Sequence, residues 1–156
     1  MSISNRVKQF LDENGAKYEH VEHAPVYTAQ EVAQATHTPG KEMAKAVILK
    51  DDSGCVMAVL AATRRIDLDA LREASGRPQL QLAQEREFQS LFPNCETGAM
   101  APFGNLYDLP VFVDQGLGED ESITFNAGTH ADSIRMPYAA YERLVGPHVA
   151  PFARPA

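Results

Sequence analysis

The chain has 156 residues, 44% of them hydrophobic, with 21 acidic against 14 basic side chains and a formal net charge of −7. That size fits a single domain spanning residues 1–156 around one core, without disulfide staples. The acidic balance excludes a protein that grips a long stretch of nucleic-acid backbone, since such affinity comes from Lys and Arg displacing counterions, but it is compatible with contact at only the end of an RNA.

The predicted elements run as follows. Residues 4–14 read as an opening helix, capped by Ser4, with Val7, Phe10 and Leu11 on one face and Asn14-Gly15 as its stop. Lys17–His23 alternates and predicts a strand ended at Ala24-Pro25. Thr28-Ala-Gln-Glu31 is a capping-box pattern that opens a short helix through about Ala35. Strands Ala44–Leu49 and Val56–Ala61, joined by Asp51-Asp52-Ser53-Gly54, form a hairpin apolar on both faces and therefore central. Asp67 caps a helix over Leu68–Ala74, with Gly76 just past its end. Gln79–Leu82 predicts a short strand and Glu85–Leu91 a helix closed by Pro93. Pro110–Asp114, Ser122–Asn126 and Ser133–Met136 are strands, and Tyr138–Val145 is a final helix ended by Gly146-Pro147. This order predicts an α+β (mixed α/β) fold, a single mixed sheet with helices packed against it. No uninterrupted apolar run approaches the ~18 residues of a membrane span, and the N-terminus has no signal-peptide core. A cytoplasmic protein is expected, with Cys55 and Cys95 as reduced thiols.

Three segments could carry chemistry. Lys45 sits in an apolar strand between Ala44 and Ala46. Its stem either snorkels from the sheet to water, or its ammonium serves a site, because desolvating an unpaired lysine is expensive. The loop Thr97-Gly98-Ala99-Met100-Ala101-Pro102-Phe103-Gly104 is long for a compact domain. It either closes the core with Met100 and Phe103 or brings backbone groups to a ligand through its glycines. Asn126-Ala127-Gly128-Thr129-His130 places a histidine at a turn between two strands, where sites often form. His20, His23, His37 and His148 read as structural. No GxSxG, P-loop or HExxH pattern occurs, so a hydrolase here is expected to use neither metal nor cofactor. No helix-turn-helix or basic recognition helix points to DNA.

In this order the three segments resemble the YbaK-like, prolyl-tRNA-synthetase-associated editing domains. The shared pattern is a lysine-bearing strand (Ala44–Leu49), a Gly-x-x-x-Pro-x-Gly loop (Gly98–Gly104) and a glycine turn after a late strand (Asn126–His130), with Tyr18–Pro25 resembling the family's first strand. The resemblance spans about residues 4–148. It implies a mixed α/β fold that hydrolyses the ester of mischarged tRNA, with mischarged tRNA as partner through its acceptor end. An aminoacyl-tRNA synthetase is a second partner that it allows. By resemblance Lys45 is catalytic and Gly98, Met100, Pro102, Phe103, Gly104, Asn126, Gly128 and Thr129 bind the substrate; His130 is expected beside Lys45 at the catalytic centre, contacting substrate or water, and Val47 is expected to crowd the pocket. Lys41 and Thr63-Arg64-Arg65 are expected phosphate contacts. Val21 and the Gly98-Ala99-Met100-Ala101-Pro102 loop depart from the cysteinyl-specific branch, which has a tyrosine and a Gly-Gly-x-Ser-Pro-x-Gly loop there. The chain is closer to members that clear Ala, Ser or Thr. The alternative is a non-catalytic tRNA- or synthetase-binding module of the same fold.

Overall fold

A computed structural model describes residues 5–92, 96 and 99–155. Helix α1 (Asn5–Glu13) buries Val7 and Leu11, four apart on one face, while Lys8 and Asp12 pair at 2.7 Å on the solvent side. Ser4, its expected cap, lies outside the described residues. Strand β1 (Glu19–Glu22) precedes α2 (Ala29–Ala35), which opens on the expected capping box: Glu31 N donates to Thr28 Oγ1, and Thr28 N to the Glu31 carboxylate, each at 3.1 Å.

The central hairpin is β2 (Ala44–Asp51) and β3 (Gly54–Ala61), paired from Ala44↔Ala61 to Asp51↔Gly54. Its turn is made by Asp51, whose carboxylate accepts from Ser53 N, and by Gly54 at φ +124°, a conformation that disfavours side chains. Strand β4 (Arg64–Ile66) leads to α3 (Leu68–Ser75), N-capped by Asp67 and stopped by left-handed Gly76. Strand β5 (Gln81–Leu82) and helix α4 (Glu85–Phe88) follow, and the helix expected to reach Leu91 turns 3-10 at Gln89–Leu91. The remaining elements are β6 (Val111–Asp114), β7 (Ser122–Asn126), β8 (Asp132–Pro137), α5 (Tyr138–Val145), β9 (His148–Ala150) and β10 (Ala153–Pro155).

The fold is α+β, but the expectation of one sheet needs correction. The strands form a five-stranded mixed sheet β5-β2-β3-β6-β9, a three-stranded antiparallel sheet β1-β8-β7 and a two-stranded ribbon β10-β4. The hairpin is central, as its apolar content predicts. Strands β4, β9 and β10 were not legible because each is three residues long and mostly exposed, so none carries a periodic apolar signal.

Along β2, Ala44 and Ile48 point into the main core with Met57, Val59, Phe103, Phe125 and Ile134, while Val47 and Leu49 face a second cluster with Leu60, Leu71 and Phe152. Met43 joins a third, small cluster with Val32 and Ala33 of α2 and Ala62.

Asp114 holds the end of the chain down. Its buried carboxylate accepts from Phe152 N at 2.9 Å, Ala153 N at 3.0 Å and Gly116 N at 3.1 Å. Replacing it by Ala strands these donors, so Asp114→Ala is expected to destabilise the protein by about 3 kcal/mol in urea unfolding, with Asp114→Asn milder because the amide oxygen keeps an acceptor.

Candidate active site

The site is built where two sheets meet. Strand β2 pairs with β5 only at Leu49 and Lys50, and at its other end Met43 makes a parallel bridge to Thr124 of β7. Lys45–Val47 lie in the interval between these contacts. The bridge is parallel, so Lys45 and Asn126 each lie two residues past it in the same direction, on the strand faces that carry Met43 and Thr124. Lys45 is half-buried and makes no hydrogen bond or ion pair with another described residue. Removal from water lowers its ammonium pKa below the ordinary 10.5, and no carboxylate opposes that shift. Asn126 Oδ1 is buried and likewise has no hydrogen-bond partner among the described residues. A donor-only cation and an acceptor awaiting a donor therefore each follow the bridge by two residues on this face.

Behind them the face is polar. In the register of the three-stranded sheet, Asn126 lies opposite Ser133, and Ser133 opposite Val21. Ser133 Oγ lies 2.9 Å from His23 Nε2, and His23 Nδ1 lies 2.9 Å from the Ala24 carbonyl oxygen. A carbonyl only accepts, so in neutral His23 the proton sits on Nδ1 and the Ser133 hydroxyl donates to Nε2. Arg135 donates to Thr36 O and Thr38 Oγ1, both at 2.8 Å, tying the segment after α2 to this face. His23 and Ser133 were missed by sequence reading. The usable signal was period-2 spacing, which puts Ser133 with Arg135 and Val21 with His23 on one side of their strands.

His130 sits at the tip of the β7–β8 turn, and its ring packs against Tyr27 with centroids 4.7 Å apart. Its amide donates to Glu96 Oε1 at 2.6 Å, and its carbonyl accepts from Val26 N at 3.1 Å. Gly128, at φ +101°, donates its N–H to Ala99 O at 2.9 Å and accepts from Glu96 N at 2.7 Å. Both of its backbone groups are engaged by the loop and none is left to face a substrate. The Thr129 hydroxyl donates to Asp132 Oδ2 at 2.6 Å, and His20 Nε2 lies 2.7 Å from Asp132 Oδ1. Thr129 and Gly128 thus shape the turn. Among the described residues His20, Glu22 and Asp132 bring metal-type ligand atoms within 4.8 Å of one another, on the side of β1 and β8 that carries Ile134 rather than Asn126. Their close contacts are with one another and with Thr129.

The loop residues expected as pocket walls require correction. Phe103 is fully buried, with its ring 5.8 Å from Phe10, 5.5 Å from Phe125 and 5.4 Å from Tyr141. Phe125 lies on the opposite face of β7 from Asn126, so Phe103 packs beneath the site. Met100 is buried in the same core, and the Pro102 carbonyl accepts from Tyr141 Oη at 2.7 Å. A Cβ on Gly104 would lie 2.8 Å from Val111 Cγ2 and 3.3 Å from Met57 Cβ, so packing explains that glycine. Met100 and Phe103 follow the core-closing reading of this loop, because large apolar side chains gain more from burial than from lining a wet cleft. Gly98 and Cys95 lie outside the described residues. Val47 stays near Lys45, two positions along the same face and half-buried.

Lys41, Thr63 and Arg64 do converge, on a cavity of about 400 Å³ that also contains Asp114, Glu119 and Asp120. Lys41 lies 3.7 Å from Asp120, whose carboxyl pKa is raised by burial. Arg65 is placed elsewhere, opposite Arg154 in the ribbon.

A sequence profile of the aminoacyl-tRNA editing domain matches residues 23–144. The chain belongs to that family. It is 31% identical to the multifunctional Ser/Thr-tRNA deacylase ProXp-y of Escherichia coli K12 over 97% of this chain and 93% of that protein. It is 27% identical to the prolyl-tRNA editing protein ProX of Acetoanaerobium sticklandii, over 93% and 92% of the two chains. In fold it matches a crystal structure described as a candidate trans-editing enzyme for prolyl tRNA synthetase, with TM-score 0.86, 24% identity and coverage of 97% and 96%. The editing-domain resemblance and the α+β fold are thus borne out.

Two outcomes follow for this site. Burial depresses the Lys45 pKa, so the folded state carries a charging penalty at neutral pH that fades as pH rises through the depressed value toward 10.5. Lys45→Met keeps the stem without the charge and is expected to raise stability at pH 7, by under about 1 kcal/mol after solvent screening, with the gain shrinking as pH rises through the depressed value toward 10.5 in a pH series of melts. Gly128→Ala must hold a positive φ, so it is expected to cost about 1–2 kcal/mol in the same assay.

Proposed function

We propose that this chain is a trans-acting deacylase that hydrolyses the ester joining a small amino acid, Ser, Thr or Ala, to its tRNA, with Lys45 as the catalytic cation. One observation supports the assignment of the residues: a half-buried ammonium with no anion beside it, two residues past the bridge that joins β2 to β7, on the frame of an editing domain whose Asn126 carbonyl is likewise without a partner among the described residues. The Ser/Thr-tRNA deacylase activity in the name of the E. coli relative supports the choice of small side chains.

The chemistry asks for little. Water adds to the ester carbonyl, the tetrahedral oxyanion collapses, and the ribose oxygen leaves as a hydroxyl. The Lys45 ammonium stabilises the oxyanion, Asn126 Oδ1 accepts from the α-ammonium, and His130 contacts substrate or water. A neighbouring ribose 2′-hydroxyl assists the proton transfer. Fixed donors aimed at developing charge usually supply the greater part of the rate enhancement in such sites. Val21 and Val47 flank the site with apolar bulk, and selection against larger side chains rests on steric exclusion, since one missing methylene is worth only about 1–3 kcal/mol. An aminoacyl-tRNA synthetase is a further proposed partner because it makes the mischarged substrate. The cytoplasm, where charging takes place, is the proposed compartment. Among the described residues no helix is long and apolar enough to cross a membrane.

The test is a panel of tRNAs charged with Ser, Thr, Ala and bulkier residues, with amino-acid release as the readout. Wild type is expected to release the small residues and spare the large. Lys45→Ala is expected to lose at least about 100-fold in rate, and Lys45→Arg to restore little, because the planar guanidinium is larger and aims its donors differently. Undiminished turnover by folded Lys45→Ala overturns the catalytic assignment.

A further inference from the structure

We propose that Tyr27 is the stacking platform for an unpaired nucleobase, the base of the terminal nucleoside whose ribose carries the ester; this rests on the deacylase reading and identifies how that substrate is held. Tyr27 is 71% exposed, more than Leu82 at 59% or Val149 at 46%. An exposed aromatic alone is ordinary, but this one has a rigid mounting at both ends. On one side His23 N donates to Ala131 O at 2.9 Å and Val26 N to His130 O at 3.1 Å, stitching the segment to the β7–β8 turn. On the other side Thr28 is locked into the capping box of α2. The ring is tilted 49° against His130, leaving most of its surface to solvent beside the turn that begins at Asn126.

Charge gives the second argument. With a net charge of −7, phosphate contacts supply limited affinity, and the cavity where Lys41 and Arg64 meet also holds three carboxylates. Stacking does not depend on charge, and it suits a single-stranded end whose bases are free of partners. A base on Tyr27 is held beside His130, at the tip of the turn that follows Asn126.

Two measurements test this. On tRNA charged with Ser or Thr, Tyr27→Ala is expected to raise KM about 5- to 150-fold, the equivalent of the ~1–3 kcal/mol of one stacked base. Tyr27→Phe and Tyr27→Trp, which keep a ring, are expected to stay near wild type. In the second, fluorescence anisotropy compares an uncharged CCA-ended oligonucleotide with the same strand made abasic at its terminal nucleoside. Wild type is expected to prefer the intact strand, and Tyr27→Ala to bind both alike. An intact-over-abasic preference that survives in Tyr27→Ala overturns the proposal, as does a loss confined to kcat, which would mean the ring only braces His130. If wild type releases no amino acid, the deacylase reading fails separately, while the binding comparison still reports on Tyr27.

Discussion

The parallel contact of Met43 with Thr124 ties the end of β2 to the edge strand of the three-stranded sheet without growing into a ladder, and the site lies beside that join. Strand β2 cannot continue its ladder to β5 past Ile48, whose carbonyl takes the Ala83 amide, and β7 does not extend the pairing beyond the bridge. The interval is where Lys45 stands. In the middle of a complete sheet a lysine flanked by alanines would have no route to solvent, and on an outer edge it would be fully hydrated with an ordinary pKa. At a junction it is half of each, which gives a cation that is both perturbed and reachable.

The opposite faces of β7 divide the labour. Ile123 and Phe125 enter the main core with Ile134 and an aromatic cluster in which Phe103 meets both Phe125 and Tyr141 edge to face. Thr124 and Asn126 face the other way, onto the polar layer of Arg135, Thr36, Thr38, Ser133 and His23. Among the described residues of that layer, the polar side chains are matched except Asn126. An unmatched buried carbonyl costs folding free energy, and it is placed where a ligand could meet the need.

Much of this was legible in the residues. The hairpin, the capping box of α2, the αL stop at Gly76 and strands β6 to β8 follow from turn chemistry and period-2 spacing, and Lys45 stood out as a charge in an apolar run. What was not legible is long-range. Nothing local tells β1 to pair with β8 rather than with β2, and so nothing marked His23 as a neighbour of Ser133. The Gly98–Gly104 segment left two readings open for the opposite reason. Its glycines and proline look like ligand-binding punctuation, yet between them Met100 and Phe103 are simply large and apolar, and burial decided their direction.

The stitching of the β7–β8 turn has a mechanical consequence. Gly128 is fastened to Ala99 and Glu96, His130 to Glu96 and Val26, Ala131 to His23, and Thr129 and His20 both to Asp132. Opening the rim would break several hydrogen bonds together, so the turn behaves as a stiff arch rather than a hinge. A stiff rim cannot close more tightly on a good substrate than on a poor one. It discriminates as a sieve does, by an aperture fixed before anything arrives, and its errors should be governed by size far more than by polarity.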